Sequence, residues 1–490
     1  MFNSFIKTQL LSSKKDLLLG HIIFIALIIF SIVFVYERVF YMDSAYQLFE
    51  MIKQGGFHQN VRRYSMYFAE LLPLLAIKLN LPLKTVILSY SLSFTLIGYG
   101  FWLLTTYVLK NRYVGIIMLL IMIGMKHTFF HTISETFQLM FFGAFLYAWI
   151  TSRFAEKKEM KYKILYYSIA LLMMTLCMFI HPVALFFLIF IAGVFILNNK
   201  FSNQEKTIIT ILMLGIISLK YFTIEQGSHD TDYNMELREF LGHCINIYRI
   251  SSTKWFVLHF IEFYWAPALL LVVALVHYIR NKQYRNLCFY FGFTFFFMII
   301  TLVLYYNPDS EIGRERSFLP LVFFCGLPFM KDIFPKLSLK WSNVFFIGLT
   351  LLIGIGFVKI AAAGTSYSER LKKIDEIVAF ANKTGQKKLV MDKELSHTIF
   401  PFYNWATGFE SMMYSAVLSP DSTVNFYIEE ELNTQRDNPK FLNASYFLAV
   451  PWWTFWEIKD LNPNYFKLPA QSTKELMIED GNFVIKDLTD

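Results

Sequence analysis

Long apolar runs recur along this chain between Gly20 and Ala363, and most approach the length that one helix needs to cross a bilayer. A helix rises about 1.5 Å per residue, so about 20 residues cover a hydrocarbon core of about 30 Å. The runs fall at about 20–40, 85–109, 113–130, 133–151, 163–181, 182–198, 206–223, 255–279, 286–306, 317–331 and 342–363. They predict an all-α polytopic transmembrane bundle of about eleven spans. The first run, Gly20 to Val39, is long enough to remain as an anchor rather than a cleaved signal peptide. Tyr67–Lys78 is apolar on one side and too short to cross, which predicts a helix lying at the interface. Charged residues make up only 17% of the chain, against about 25% in an ordinary soluble domain. The abundant Phe and Tyr suit interfacial belts and aromatic packing between helices.

The net charge of +8 does not indicate a nucleic-acid partner, because the basic residues lie in short clusters between apolar runs. One alternating set of loops holds Lys14 and Lys15; Lys110 and Arg112; Arg153, Lys157, Lys158, Lys161 and Lys163; Lys200 and Lys206; Arg280, Lys282 and Arg285; and Lys331, Lys336 and Lys340. Basic loops stay on the cytoplasmic side, so the N-terminus is expected inside and the C-terminus outside, provided that Tyr67–Lys78 does not cross. The segments 41–84, 131–135, 225–254 and 307–316 then face outward. Cys177, Cys244, Cys288 and Cys325 show neither zinc-ligand spacing nor a disulfide framework.

After Ala363 the chain turns polar and mixed in charge. An amphipathic stretch, Glu369–Ala381, precedes strand-like segments at Lys388–Met391, Ser445–Val450 and Phe483–Ile485. The expected division is a multi-spanning domain over 1–363 and a small extracytoplasmic α/β domain over 364–490.

Four outward features carry candidate chemistry. Asp43 follows the first span and opens an amphipathic stretch that breaks at Gly55-Gly56. A carboxylate there can accept a proton or hold a cation, or simply cap a helix. His127, His131 and Glu135 are spaced to share a helix face and can form a metal or phosphate site, or wet a loop apex. His181-Pro182 sits between two spans, where the histidine can also serve as a cap. Arg314 and Arg316 stand among Asp309, Glu311 and Glu315; their planar forks suit a lipid phosphate or an interfacial salt-bridge cluster. Topology places Asp43, Glu135, His181 and the arginines on one membrane face, and ionisable groups at that depth are functional candidates.

In this order the features resemble the lipid-phosphate-sugar-dependent glycosyltransferases of GT-C fold, above all the protein O-mannosyltransferases and the aminoarabinose transferases of lipid A. Asp43 to Gly56 resembles that family's first outer loop, with Tyr67–Lys78 as its interfacial helix. Glu135 corresponds to the second outer carboxylate. His181-Pro182 and Arg314-Glu-Arg316-Ser-Phe-Leu-Pro320 resemble later elements of the pattern, and Lys110-Asn-Arg112 a short basic loop. The family's acidic pair in the first loop is Asp43-Ser44 here, so a single carboxylate must serve. The resemblance implies inverting transfer from a polyprenyl-phosphate sugar to a protein, glycan or lipid acceptor. Asp43 and Glu135 would be catalytic; His131, His181, Arg314 and Arg316 would bind substrate. A divalent cation assists some relatives and not others. The implied location is a bacterial inner membrane. The competing classes are a transporter or lipid flippase, and a membrane assembly protein whose outer domain recruits partners. Transporters place ionisable residues near the midplane, often in inverted repeats, and no repeat is visible.

Overall fold

A computed structural model of the chain describes residues 2–58, 63–152, 159–223, 237–306, 311–402, 405–430, 432, 436, 438–450 and 454–488. Arg153, Lys157 and Lys158, residues 225–236 of one outward segment and 307–310 of another, including Asp309, lie outside them.

The chain is mostly helical. Its helices are α1 (Phe2–Val33), α2 (Val35–Val39), α3 (Met42–Gln54), α4 (Tyr67–Lys78), α5 (Leu83–Leu103), α6 (Arg112–Leu120), α7 (Glu135–Ile150), α8 (Met160–Met178), α9 (Ala184–Leu197), α10 (Asn203–Thr223), α11 (Leu237–Ile245), α12 (Ser251–Phe263), α13 (Trp265–Arg280), α14 (Tyr284–Leu304), α15 (Glu311–Phe318), α16 (Pro320–Asp332) and α17 (Leu339–Thr384). Among the described residues, 6 helical stretches are long and apolar enough to cross a membrane: Lys15–Val33, Leu83–Val108, Asn203–Thr223, Tyr284–Leu304, Ile312–Lys336 and Leu339–Thr384. Counting the pair α12 and α13, bent by 83°, makes 7.

The other apolar runs take different forms. The run at 113–130 is not one helix: α6 passes into a 3-10 turn at Ile121–Gly124, and a second such turn covers Thr128–Phe130. Helices α7 and α9 have 16 and 14 residues. Helix α8 opens with Lys161 and Lys163, which lower its mean hydropathy. Helix α7 is buried almost all round. A helix walled in by its neighbours has the same all-apolar composition as one facing lipid, so hydropathy alone does not separate the two.

The last apolar run and the amphipathic stretch that follows it form one helix, α17, of 46 residues. No proline interrupts it, and Gly385 ends it at φ +80°, a left-handed cap that glycine adopts without a Cβ clash. Beyond it lies a small sheet. Strands β1 (Lys388–Asp392), β2 (Asn425–Glu429), β3 (Tyr446–Val450), β4 (Thr454–Glu457), β5 (Lys474–Glu479) and β6 (Asn482–Lys486) cover the three expected strand segments apart from Ser445, which lies one residue before β3. The main sheet runs β2-β1-β5-β6, with β1 parallel to both neighbours and β5 antiparallel to β6; β3 and β4 pair separately. Helices α18 (Lys393–Ser396) and α19 (Thr407–Ala416) sit between the strands.

Two cores result. One fills the helical bundle. The other is shared: Phe49 and Ile52 of α3, Ile77 of α4 and Val86 of α5 belong to the same buried cluster as Phe409, Met412, Phe447 and Phe466 of the C-terminal region. The amphipathic face of α3 is thus covered by the sheet domain, which seats that domain on the loop holding Asp43.

Candidate functional site

Asp43 lies one residue into α3, whose N-cap is Tyr41, with no side-chain cap bond. Its carboxylate therefore does not cap the helix. It turns to His131, whose Nε2 stands 3.3 Å from Asp43 Oδ2. Met42, just before it, holds φ +45°, a left-handed conformation that costs a residue with a Cβ on the order of 1–2 kcal/mol. The Met42 N–H donates to Glu410 Oε1 on α19 at 3.3 Å. Glu410 is itself fully buried and paired with Arg370 of α17 at 2.5 Å. The backbone that presents Asp43 is held by the C-terminal domain.

The loop 125–134 carries His131, and two buried charges pin it. Glu315 accepts the backbone N–H groups of Lys126, His127 and Thr128 at 2.8, 2.8 and 3.0 Å. Arg38 donates to the Phe129 carbonyl at 2.5 Å and to Ser91, and stacks over the Phe129 ring at 4.1 Å. Thr132 Oγ1 returns a bond to the Arg38 carbonyl at 2.7 Å. Ser134 then caps α7 by accepting from the Phe137 N–H, which puts Glu135 in the first turn, where the helix dipole favours a negative charge.

Glu135 is buried and joins two arginines. Arg63 Nη1 lies 2.5 Å from Oε1, and Arg316 Nη1 lies 3.9 Å from Oε2. Oε2 is buried and makes no hydrogen bond among the described residues. His181 and His131 add positive potential at Glu135, and Arg316 acts on Asp43 as well. Desolvation by the surrounding protein pushes the Asp43 carboxyl up, but the His131 bond and the charges of His131 and Arg316 outweigh it, so Asp43 is held below the ordinary carboxylate range. Its side chain remains 38% exposed.

Of the residues singled out by sequence, Asp43, His131, Glu135, His181 and Arg316 come together. Arg316 is the arginine found beside Glu135; Arg314 lies two positions back on α15. The helical alignment of His127, His131 and Glu135 does not form, because two turns and a cap interrupt it. His127 instead lies 3.3 Å from the Tyr367 hydroxyl. Among the described residues no three His, Cys, Asp or Glu side chains converge as metal ligands. His181 accepts the Val183 N–H through Nδ1 at 3.2 Å, in the turn that leads into α9. Arg63 is the residue that sequence reasoning passed over. The signal was present: Arg62-Arg63 is a basic pair in a loop that the charge rule places outside, where a basic pair needs another reason to be.

No protein-family model matches this sequence, nor does any curated protein, and no solved structure matches the chain.

Proposed function

We propose that this chain is a multi-pass integral membrane glycosyltransferase that moves a sugar from a polyprenyl-phosphate carrier to an acceptor on the outer face of the membrane, with the C-terminal domain on that face. The observation that carries the proposal is a solvent-reached carboxylate, Asp43, paired with His131 and within the electrostatic reach of Arg316, a partly exposed arginine beside Glu135, at the end of an apolar helical bundle. The membrane reading rests on the long apolar helices and on their outer faces. Ile22, Ile25 and Ile29 of α1, and Val344, Ile347, Leu351, Ile355 and Val358 of α17, are exposed at helical spacing, which suits lipid and not water.

In the proposed reaction Asp43 takes the proton of the acceptor hydroxyl as that oxygen attacks the anomeric carbon. The bond from that carbon to the phosphate oxygen breaks, and the phosphate leaves with the electron pair. Arg316 binds the carrier phosphate and offsets the charge that develops on it. Glu135 holds Arg316 and Arg63 in place. His131 orients Asp43.

Asp43→Asn tests this reading. It keeps size and removes basicity, so transfer from a polyprenyl-phosphate sugar should fall on the order of a hundredfold or more while thermal stability stays near wild type. Near-normal transfer by the Asn variant would remove the base from the mechanism. A transporter or flippase is the second reading, favoured by the 83° break between α12 and α13, since broken helices line transport pathways. It predicts carrier movement across the bilayer without a new glycosidic bond.

A further inference from the structure

A second polar site lies at the other end of the bundle. A cavity of about 590 Å³ opens where five chain segments meet: the turn before α6, the end of α7, the α9–α10 connection, the start of α14 and the end of α16. Thr151, in its wall, is 16 residues beyond Glu135 along α7, which puts the cavity roughly 24 Å from the candidate site.

The lining mixes apolar side chains such as Leu109, Val114, Leu197 and Leu327 with polar ones. Lys110, Lys200 and Lys331 face it, with Asn199, Gln283 and Asn286. Its two carboxylates already have local partners. Glu205 accepts from the backbone and hydroxyl of Ser202 at 2.8 Å, and Asp332 accepts from the buried Tyr278 hydroxyl at 2.6 Å. Lys331 lies only 4.0 Å from Asp332, whereas Lys110 and Lys200 pair with no carboxylate among the described residues. Lys331 feels the opposing charges of Asp332 and Lys200, of which Asp332 acts the more strongly. Asn111 caps α6, and Lys110 just before it holds φ +55°.

We infer that this cavity binds a phosphate-bearing polar group, with its oxyanions held by Lys110, Lys200 and Lys331 and its remaining oxygens by the amides of Asn199, Gln283 and Asn286. Ammonium groups are point donors suited to phosphate, and side-chain amides supply directional bonds to ester or hydroxyl oxygens. The phosphate can belong to a lipid head group or to a soluble molecule. None of these residues belongs to the candidate site, so the inference does not depend on the transferase reading.

The test uses the full chain in phosphatidylcholine nanodiscs, followed by thermal unfolding. Inorganic pyrophosphate is titrated against sodium chloride of equal ionic strength. In a parallel arm, phosphatidylglycerol replaces part of the phosphatidylcholine. A saturable rise in Tm with pyrophosphate supports a soluble ligand, and a rise with phosphatidylglycerol alone supports a lipid head group. Lys200→Gln with Lys331→Gln should weaken the response about tenfold or more, as should Lys110→Gln alone if the double variant does not fold. Lys161→Gln, on an exposed lysine outside the cavity, should leave it unchanged. No rise in either arm, or an equal rise in the cavity variants, would overturn the inference.

Discussion

Arg314 and Arg316 are two positions apart on α15, and a helix turns by about 200° over that interval, so their Cβ atoms point to different sides. Arg316 is the one whose Nη1 lies 3.9 Å from Glu135. Arg316→Ala should therefore cut carrier use on the order of a hundredfold, with Lys restoring part of it because the planar fork is lost. Arg314→Ala should stay near wild type. Transfer rates measured against donor concentration decide this, and equal losses in both Ala variants would detach Arg316 from its role. Glu70 on α4 is a different kind of residue. It is buried, its carboxylate accepts the His58 N–H at 3.1 Å, and burial pushes its pKa up from 4.5 to about 8. The folded chain then keeps a proton that the unfolded chain releases, so Glu70 lowers stability progressively as pH rises from about 4.5 to about 8. Glu70→Gln should flatten that slope, with Tm gaining a few degrees over wild type at pH 8 and little at pH 5. Parallel pH–Tm curves for the two proteins would exclude this account.

At the scale of elements, the contact between α3 and α19 matters most. Arg370 and Glu410 are 2% and 0% exposed, and Glu410 also holds the strained Met42 backbone next to Asp43. Breaking a buried pair leaves an uncompensated charge and costs on the order of 3–5 kcal/mol. Glu410→Gln should lower Tm clearly and slow transfer through the position of Asp43, without changing the protonation chemistry of the reaction. The check is thermal unfolding together with the pH profile of transfer; a changed profile at unchanged Tm would contradict a positioning role. Some elements were legible in their residues. Gly55 ends α3 at φ +59°, as the Gly55-Gly56 break suggests. The Asp480-Gly481 pair, both at positive φ, closes the β5–β6 hairpin, a turn signal that was readable but passed over. Strand β2, buried along its length, lacks the alternation that marks a half-exposed strand.

For the whole molecule, three of the basic segments come together in space. The turns around Lys110, Lys200 and Lys331 meet at one cavity, whereas Asp43, Arg63, His131, Glu135 and Arg316 meet at the other end. Under the proposed topology these ends are the cytoplasmic and outer faces. A reporter fused after Asp490 should then signal from outside, and one inserted in the α13–α14 connection at Lys282 from the cytoplasm. Both reporters on the same side would refute the arrangement.

Sequence alone determined the apolar helical bundle, the onset of a mixed helix and strand region near its end, and the set of loops to which Asp43, Glu135, His181 and the arginines belong. These follow from composition and period, which local chemistry dictates. Only tertiary structure decided which apolar runs are long helices and which are short buried ones, because burial by protein and exposure to lipid select the same side chains. It also decided that Arg316 and Arg63 flank Glu135, that Glu315 and Arg38 pin the His131 loop, and that Glu410 holds the backbone beside Asp43. Each of those contacts joins residues far apart in the chain, and no local pattern records a partner that only folding brings near.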